Sequence, residues 1–296
     1  MSRTFVFVTD THLSRSRPFF HFNWEVFIAA MRRKPPDLIV FGGDNALDGP
    51  GNPDDLAFVR EQCDRLPCRW LAVPGNHDVG ANPVPQDLPD ERGEGVIDAG
   101  VLSRYRQHLG RDYWQVDLGG RRIVGLNSQL LGSGLKDEAD QEAFLAAAMD
   151  HPEPVILVTH KPPFHRSMRD GEFNQKFWYP PARRLLEPYL AKERIELILA
   201  GHRHERRDTV LEGVRHVWGA PLAFVTDAAC NWSPSLGGER KVGWTVVTIG
   251  KTLHVEIAEP DDLLLIDIGG WMRSGSIELY RKYTHSAPFY LEGLKT

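Results

Sequence analysis

Several short apolar runs in this chain each end in a cluster of His, Asp or Asn residues, and this arrangement constrains the fold more than any other feature. Short β-branched and aromatic runs such as residues 4–8 are typical of buried strands. The clusters that follow the runs are Asp10-Thr11-His12, Gly43-Asp44, Gly75-Asn76-His77-Asp78, His160 and Gly201-His202-Arg203-His204. Sites in open α/β sheets lie beyond the carboxyl ends of the strands. The sequence therefore predicts a functional site at these five strand ends.

Helical spacing alternates with strands over the first part of the chain. Apolar residues recur at helical intervals over residues 24–33, and a second helix over residues 53–66 begins with Pro53, which favours the first helical position. The strands of this part are predicted at residues 4–8, 37–41 and 69–73. This order predicts a largely parallel α/β arrangement that is covered on both faces.

Further elements are predicted after an irregular loop, rich in Pro and Gly, at residues 79–100. They are a hairpin of residues 113–118 and 122–126 around Gly119-Gly120, a helix at 138–149, strands at 155–159 and 195–200, and mostly antiparallel strands within 210–225 and 242–257. In the tail, residues 263–266 are interpreted as one more strand. Residues 271–296 are interpreted as a segment that covers a sheet edge or joins a neighbouring subunit.

Composition narrows the classes of function. The chain has 296 residues, 42% of them hydrophobic and 25% charged, with a net charge of -5 and no long Lys/Arg run, so a broad basic surface for nucleic acid is not indicated. Three cysteines, at positions 63, 68 and 230, match no metal or redox motif, and we interpret them as reduced thiols. No leader peptide precedes the first strand and no run is long enough to span a membrane. We therefore expect a cytoplasmic protein without a membrane partner.

The five clusters together indicate metal binding, although each alone has an ordinary structural interpretation as a turn, a polar loop or a hydrogen-bonded histidine. Imidazole and carboxylate ligands suit Zn, Mn and Fe better than Ca or a hydrated Mg. Seven ligand-type residues are too many for one tetrahedral zinc ion and suit two ions that share one carboxylate. The expected cofactor is therefore a pair of divalent or mixed-valence ions (Mn, Fe, Zn or Co), and the candidate ligands are Asp10, His12, Asp44, Asn76, His160, His202 and His204.

A pair of metal ions suits hydrolysis of a phosphate ester, whose negative oxygens repel nucleophiles. Two metals about 3.5–4 Å apart neutralise that charge and lower the pKa of a shared water. We expect a metal-bridging hydroxide to attack phosphorus directly, without a covalent enzyme intermediate. A non-ligand histidine beside the metals can protonate the leaving group as a general acid.

The series Asp-x-His, Gly-Asp, Gly-Asn-His-Asp, His and Gly-His-x-His resembles the calcineurin-like metallophosphoesterases, from residue 4 to about residue 257. The resemblance implies an α/β fold, a four-layer α/β/β/α sandwich with a dimetal site at the strand ends. It places this domain at residues 1–258 and leaves a C-terminal extension at residues 259–296, which we interpret as a capping or dimerising element.

The same resemblance implies a role for each residue of the clusters. Asp10, His12 and His204 would bind the first metal, Asn76, His160 and His202 the second, and Asp44 would bridge the two. His77 matches the family's non-ligand histidine, which contacts the phosphate and protonates the leaving group. Asp78 is interpreted as a carboxylate that accepts a ring N–H and so orients His77 or a ligand histidine.

Small differences from the motifs of particular branches indicate which branch of the family this chain resembles most. Leu13, Leu47-Asp48 and Asp78 differ from the motifs of the Ser/Thr protein phosphatases, and Leu47 stands where purple acid phosphatases have a metal-binding tyrosine. The motifs 73–78 and 160–163 look most like the bacterial cyclic-nucleotide phosphodiesterase and glycerophosphodiesterase branch. This likeness implies a phosphodiesterase that acts on a small-molecule phosphate ester.

Several alternatives stay open in the sequence. The same fold could serve a nuclease or a non-catalytic scaffold, although the acidic balance disfavours the first and the full ligand set disfavours the second. Asn45 is interpreted either as a contact to a ligand or substrate or as a turn cap. Side chains near the clusters could meet the substrate or be ordinary surface and core residues; they are Arg15, Arg17, His165, Arg166, Phe19, Phe20, Phe22, Trp24, Phe173, Phe177, Trp178 and Tyr179.

Overall fold

The computed structural model describes residues 2–84, 95–171, 174–226 and 235–274. Within them the chain forms eleven strands: β1 Arg3–Val8, β2 Leu38–Phe41, β3 Trp70–Ala72, β4 Trp114–Leu118, β5 Arg121–Leu126, β6 Val155–Thr159, β7 Ile195–Ala200, β8 Arg207–Leu211, β9 Val214–Trp218, β10 Trp244–Ile249 and β11 Leu253–Ala258. The helices of the same residues are α1 His21–Arg33, α2 Pro53–Cys63, α3 Asn76–Val79, α4 Ala99–Leu109, α5 Lys136–Met149, α6 Pro180–Arg183, α7 Glu187–Leu190 and α8 Ile268–Arg273.

Two mixed sheets organise these strands. The first has the order β11-β10-β1-β2-β3, in which β1, β2 and β3 are parallel and β10 and β11 are antiparallel. The second has the order β4-β5-β6-β7-β9-β8, with four parallel strands between antiparallel edge strands. The predicted parallel start and the predicted hairpin are therefore confirmed, and the carboxyl ends of β1, β2 and β3 lie at one edge of the first sheet.

Three apolar layers hold the two sheets and the helices together. Helices α1, α2 and α4 pack Trp24, Leu56 and Tyr105, respectively, against the outer face of the first sheet. The two sheets face each other through buried side chains such as Phe5 and Leu197. Helix α5 and the short helices α6 and α7 cover the outer face of the second sheet. The predicted four-layer α/β/β/α sandwich is confirmed.

Residues 219–225 differ from the prediction of antiparallel strands. Strand β9 ends at Trp218, and the chain then crosses the end of β1, where the main-chain N–H groups of Leu222 and Ala223 donate to the carbonyls of Thr9 and Asp10 at 3.0 Å each. Pro221 has no N–H to continue a sheet ladder. This segment is therefore a loop beside the first ligand cluster.

The predicted strand at residues 263–266 is also wrong. The main chain of Leu264 is hydrogen-bonded by the side chain of Asn23, and the carbonyl of Ile266 accepts from Val225. Among the described residues this segment forms an isolated parallel bridge between Val225 and Asp267 and no ladder. Gly269 and Gly270 lie inside helix α8. Residues 275–296 of the predicted tail element lie outside the described residues, as do residues 85–94 of the loop 79–100.

Two further features complete the fold. Helix α4 follows Asp98, whose carboxylate accepts from the N–H groups of Gly100 and Val101, a cap that the sequence displays but that we did not predict. Cys63 and Cys68 are free thiols, and Cys230 lies outside the described residues.

No helix among the described residues is both long enough and apolar enough to span a membrane.

Candidate metal centre

The two sheets bring the five clusters together. Strands β1, β2 and β3 end just before Asp10, Asp44 and Asn76, and strands β6 and β7 end just before His160 and His202. Parallel neighbours have their carboxyl ends at the same edge, and face-to-face packing sets the two edges side by side. The side chains of Asp10, His12, Asp44 and His160 are at most 2% exposed.

Two groups of ligand atoms share Asp44. The first contains Asp10, His12, Asp44 and His204, and the second contains Asp44, His160 and His202; within each group the ligand atoms all lie within 4.8 Å of one another. His12 Nε2 lies 3.3 Å from His204 Nε2, and His160 Nε2 lies 3.2 Å from Asp44 Oδ2.

Asn76 completes the second group, since its Oδ1 lies 3.3 Å from His160 Nε2. The structure therefore brings together all seven residues that the sequence predicted as ligands.

Main-chain carbonyls fix the tautomers of three histidines. His160 Nδ1 lies 2.9 Å from the carbonyl of Gly42, His204 Nδ1 lies 2.8 Å from that of Phe224, and His202 Nε2 lies 3.2 Å from that of Gln175. Since a carbonyl only accepts, the facing nitrogen donates its proton, and in the neutral, metal-binding form of each ring the other nitrogen has the lone pair.

Those lone pairs point at one another and at carboxylates: His202 Nδ1 lies 3.2 Å from His160 Nε2, and His204 Nε2 lies 3.3 Å from Asp10 Oδ1. Buried acceptors that face acceptors are costly without a cation between them. The donor set fits a pair of metal ions.

Backbone conformation marks the same residues. Asp10, His12, Asp44, His202 and His204 all have positive φ values, between 43° and 68°. This left-handed conformation costs about 1 kcal/mol for a residue with a side chain. Such strain persists where the surrounding structure imposes it, and it is concentrated at functional sites.

Burial and neighbouring charges set the protonation of the site. Burial, together with the neighbouring histidines, holds the pKa of His12 and of His202 well below the ordinary value. Burial also opposes ionisation of Asp44, but the imidazoles of His160 and His77 outweigh it and hold the pKa of Asp44 well below its usual range. Burial opposes the charged form of His160 as well, but the Asp44 carboxylate outweighs it and raises the pKa of His160 to about 9. His12 and His202 are therefore already neutral, whereas His160 releases a proton when it binds a metal.

His77 lies beside the ligands, and the structure gives it two anchors. Its main-chain N–H donates to Asp44 Oδ1 at 2.9 Å, and its Nδ1 lies 2.8 Å from the carbonyl of Leu47. Its ring stands edge-on to that of His12, with the ring centroids 4.7 Å apart. His77 is half-buried, whereas the ligands Asp44 and His160 are fully buried. The ring therefore lies between the ligand cluster and the surface.

Asp78 does not orient a histidine ring among the described residues, so the role that we predicted for it is wrong. Its carboxylate accepts from the main-chain N–H groups of Asn45, Ala46 and Gly75, at 3.2, 2.7 and 2.8 Å. The side chain of Asn45 donates to it as well, at 3.0 Å, and to the carbonyl of Val73.

Asp78 thus ties the loop of Asp44 to the loop of Asn76. Burial and the nearby Asp44 raise the pKa of Asp78 to about 6. Asn45 donates to both Asp78 and Val73, and its two predicted roles stay predictions.

The sequence of residues 3–206 matches the family model of the calcineurin-like phosphoesterases. The chain belongs to this family. It is therefore related to metal-dependent hydrolases of phosphate esters, as the motifs predicted. A comparison of the sequence with curated proteins gives no match.

Solved structures of similar fold support the family at the level of architecture. A purple acid phosphatase from yellow lupin has a TM-score of 0.60 at 16% identity, over 90% of this chain and 53% of that one. A dimetal phosphatase from Danio rerio has a TM-score of 0.55 at 13% identity, over 87% and 97% of the two chains. GAP50, an anchor in the inner membrane complex of Plasmodium, has a TM-score of 0.59 at 13% identity, over 90% and 87%.

Basic side chains near the clusters of this phosphoesterase are bound by other protein groups. Arg15 pairs with Asp54 and Glu61, and Arg17 pairs with Asp48 and Asp55. The buried Arg203 lies 3.6 Å from Glu205, and Lys161 Nζ donates to Asn82 Oδ1 at 2.7 Å. His165 stacks on Phe177, and its Nε2 lies 3.3 Å from the carbonyl of Leu236.

One aromatic residue beside the ligands was missed in the sequence. Phe224 stacks on His204, with the ring centroids 4.1 Å apart, and lies 5.0 Å from the ring of His12. It follows no strand and belongs to no motif, so only the return of its loop across β1 reveals it. Of the aromatic residues that we considered as pocket walls, Phe20 contacts Phe224, at 4.9 Å.

Phe19 packs in the same apolar cluster as Phe20 and Phe224. Trp24, Phe177, Trp178 and Tyr179 are buried, Phe22 is 53% exposed, and Phe173 lies outside the described residues.

Proposed function

We propose that this phosphoesterase hydrolyses small-molecule phosphodiesters with two metal ions held by Asp10, His12, Asp44, Asn76, His160, His202 and His204. The observation that carries the proposal is the position of Asp44, which belongs to both groups of converging ligand atoms. A single carboxylate with one ligand group on each side is the arrangement that a pair of closely spaced ions requires. The motifs of the bacterial phosphodiesterase branch support the same substrate class.

The ions would supply charge neutralisation for the phosphate oxygens and a water of lowered pKa. The chain holds the ligands in place beforehand. Carbonyls fix the tautomers of three histidines, and Asp44 is ionised and held by the N–H of His77 at 2.9 Å. Because these groups are already oriented in the folded chain, substrate binding does not have to order them.

His77 is the proton donor in this proposal. Since its Nδ1–H is committed to the carbonyl of Leu47, His77 would act as the imidazolium, whose Nε2–H gives its proton to the leaving oxygen and leaves the neutral Nδ1–H ring. Leu47 thus contributes a carbonyl at the position where the purple acid phosphatases have a tyrosine ligand.

The charges around the clusters support a diester rather than a monoester. A monoester carries up to two negative charges at neutral pH, and a diester carries one. Arg15, Arg17 and Arg203 are already paired with carboxylates, and Lys161 is hydrogen-bonded to Asn82. These four cations would therefore add little to the positive charge that the metal ions supply, which suits a singly charged phosphate.

The test is a substrate panel with Mn, Fe, Co and Zn, run on the wild type, on Asp44→Asn and on the exposed-carboxylate control Asp208→Asn. The panel contains bis(p-nitrophenyl) phosphate, cyclic nucleotides, glycerophosphodiesters and monoesters. Asp44→Asn should lose bound metal and turnover together, by on the order of 10³-fold or more in rate, while Asp208→Asn keeps both. Full activity of Asp44→Asn would sink the proposal, and a preference for monoesters would correct the substrate class.

A non-catalytic scaffold is the second candidate, favoured by the structural similarity to the Plasmodium anchor GAP50. Metal analysis of the protein purified without chelator separates the two, since a scaffold need not hold close to two ions per chain. A nuclease of the same fold predicts salt-dependent DNA binding and cleavage. Homodimerisation through the extension at residues 259–296 is tested by the mass of the protein in solution.

A further inference from the structure

The C-terminal extension reaches the candidate metal centre through residues 260–270, which we call the strap. Two main-chain hydrogen bonds join the strap to Val225: the N–H of Val225 donates to the carbonyl of Ile266 at 2.9 Å, and the N–H of Ile268 donates to the carbonyl of Val225 at 3.0 Å. Both polar groups of Val225 are thus used by the strap. The residue immediately before Val225 is Phe224, which contacts two of the candidate ligands.

Asn23 fastens the strap at a second point. This side chain of helix α1 is only 1% exposed. Its Nδ2 donates to the carbonyls of Leu222 and Leu264, at 2.8 and 2.9 Å, and its Oδ1 accepts from the N–H of Leu264 at 2.8 Å. One buried carboxamide therefore bonds the strap to the same loop that carries Phe224.

Apolar packing adds a third contact. Ile268 of the strap is 8% exposed and packs in one cluster with Phe20, Leu47 and Ala223, against which Phe224 also packs. The side chain of Leu47 is in this cluster, and its carbonyl holds the Nδ1 of His77. The strap therefore lies behind the side of the centre that contains His12 and His204.

Phe224 passes these restraints on to His204. Its carbonyl lies 2.8 Å from His204 Nδ1 and its ring stacks on that imidazole at 24°. A carbonyl on the far nitrogen of a ligand histidine sets its tautomer and the direction of its lone pair. Moving Phe224 would release both constraints from His204, whose own backbone has a strained φ of 51°.

We propose that the strap positions His204 through Phe224, so that the Asp10-His12-His204 group of the centre depends on the C-terminal extension. This inference rests on the proposed function only for the role of His204 as a metal ligand. Phe224 and Asn23 are positioning residues, since neither offers an atom to the ligand groups. The ring of His160 does not depend on the strap, because the carbonyl that faces it belongs to Gly42 after β2.

The experiment compares Asn23→Leu with a matched control, Gln141→Leu. Gln141 is also buried, at 3% exposure, and its carboxamide accepts from the N–H of Asn127 and donates to its carbonyl, at 2.7 and 3.1 Å. The two variants remove the same kind of buried tie, but only the first touches the strap. The readout is the imidazole ¹H–¹⁵N spectrum of the full-length, metal-free protein, with the His204 signal assigned by its loss in His204→Gln.

In the wild type, His204 should show the Nδ1–H tautomer. Asn23→Leu should lose that signature while the His160 signature stays, and Gln141→Leu should keep both. Titration with Mn²⁺ should then show a loss of affinity of about 10- to 100-fold for one of two ions in Asn23→Leu. Ile268→Ala, a milder change to the same strap, should shift the His204 signal in the same direction if Asn23→Leu does not fold.

An unchanged His204 tautomer in both strap variants would overturn the inference, and so would an equal change in Gln141→Leu, which would indicate general loosening. The proposed function is judged separately on the wild type. If the wild type bound no metal while the strap variants still lost the His204 tautomer, the strap would stand and the dimetal hydrolase would fall.

Discussion

His160 and His204 each direct Nδ1 to a main-chain carbonyl, at 2.9 Å to Gly42 and at 2.8 Å to Phe224, but the two carbonyls belong to different kinds of structure. Gly42 follows β2, which lies inside the first sheet between β1 and β3. Phe224 lies in a loop that is held by the strap and by Asn23. The ring of His160 is therefore held by the end of a central strand, and the ring of His204 by a loop that a segment far along the chain holds in place.

The difference between the two carbonyls affects how easily each half of the centre loses its metal ion. The carbonyl that faces His160 follows β2, whose backbone hydrogen bonds to β1 and β3 open only when the sheet opens. The His204 half depends on contacts that a local opening of the strap would break. We therefore expect metal to leave the His204 half first under mild chelation.

Crowding at Gly75 gives the largest expected effect. A methyl group at this position would lie 2.7 Å from His160 Nε2 and 2.5 Å from the main-chain nitrogen of Asp44, closer than real Cβ atoms come. Gly75→Ala should therefore displace the shared carboxylate and remove both ions and measurable turnover. Metal content by elemental analysis checks the result, with Gly171→Ala, where the methyl meets open space, as the control.

Gly201→Ala is the matched change in the other half. Its methyl would lie 2.7 Å from Asp10 Oδ2 and would also collide with the side chain of Thr9. This variant should lose the ion of the His204 half and retain the one beside His160. If both glycine variants lost both ions equally, the comparison of the two halves would fail.

Removing the proton donor should lower the rate without emptying either half. His77→Asn should reduce kcat about 10²- to 10³-fold for diesters with a poor leaving group. Diesters of p-nitrophenol, whose leaving group needs little protonation, should lose far less. Steady-state kinetics on the two substrate types measure the split, and equal losses on both would argue for a binding role of His77.

The smallest expected effect is on the pH dependence of the free energy of unfolding. It arises from Asp55, which is hydrogen-bonded to the loop that follows His12. Asp55 is buried and accepts from Ser14 at 2.7 Å, and burial raises its pKa to about 6 from an ordinary value of 3.8. The unfolded chain releases this proton at lower pH than the folded chain. The free energy of unfolding should therefore fall as the pH rises from about 4 to about 6, by roughly 3 kcal/mol.

Asp55→Asn should remove this fall and leave turnover within a few-fold of the wild type. Urea unfolding of both proteins across that pH range, with chelator present, provides the measurement. A parallel pH dependence in the two proteins would show that Asp55 is not the group responsible.

Much of the site was visible in the sequence because its residues follow strands. The apolar runs before Asp10, Asp44, Asn76, His160 and His202 predicted both the sheets and the place where their ends meet. The family and the four layers were predicted and are confirmed. The division of the ligands between two ions, the phosphodiester substrate, the cytoplasmic location and the homodimer stay predictions.

Other features depend on contacts between distant residues, which periodicity does not encode. Asp78 lies in the Gly-Asn-His-Asp motif. Its carboxylate nevertheless accepts hydrogen bonds from the main chain of Asn45, Ala46 and Gly75 and, among the described residues, from no imidazole. Residues 263–266 had the composition of a strand, but their hydrogen bonds go to Asn23 and Val225. In both cases the competing partner is far away in the sequence.

The sequence alone determined which chemical groups the site contains and that they lie at strand ends, because ligand chemistry and strand patterning are local properties of the chain. Only the tertiary structure decided how those groups are held. The carbonyls of Gly42, Gln175, Phe224 and Leu47 select the working nitrogen of each histidine, and every residue has such a carbonyl. Which carbonyl faces which ring is fixed by packing, and Phe224 gained its place because the strap holds its loop beside His204.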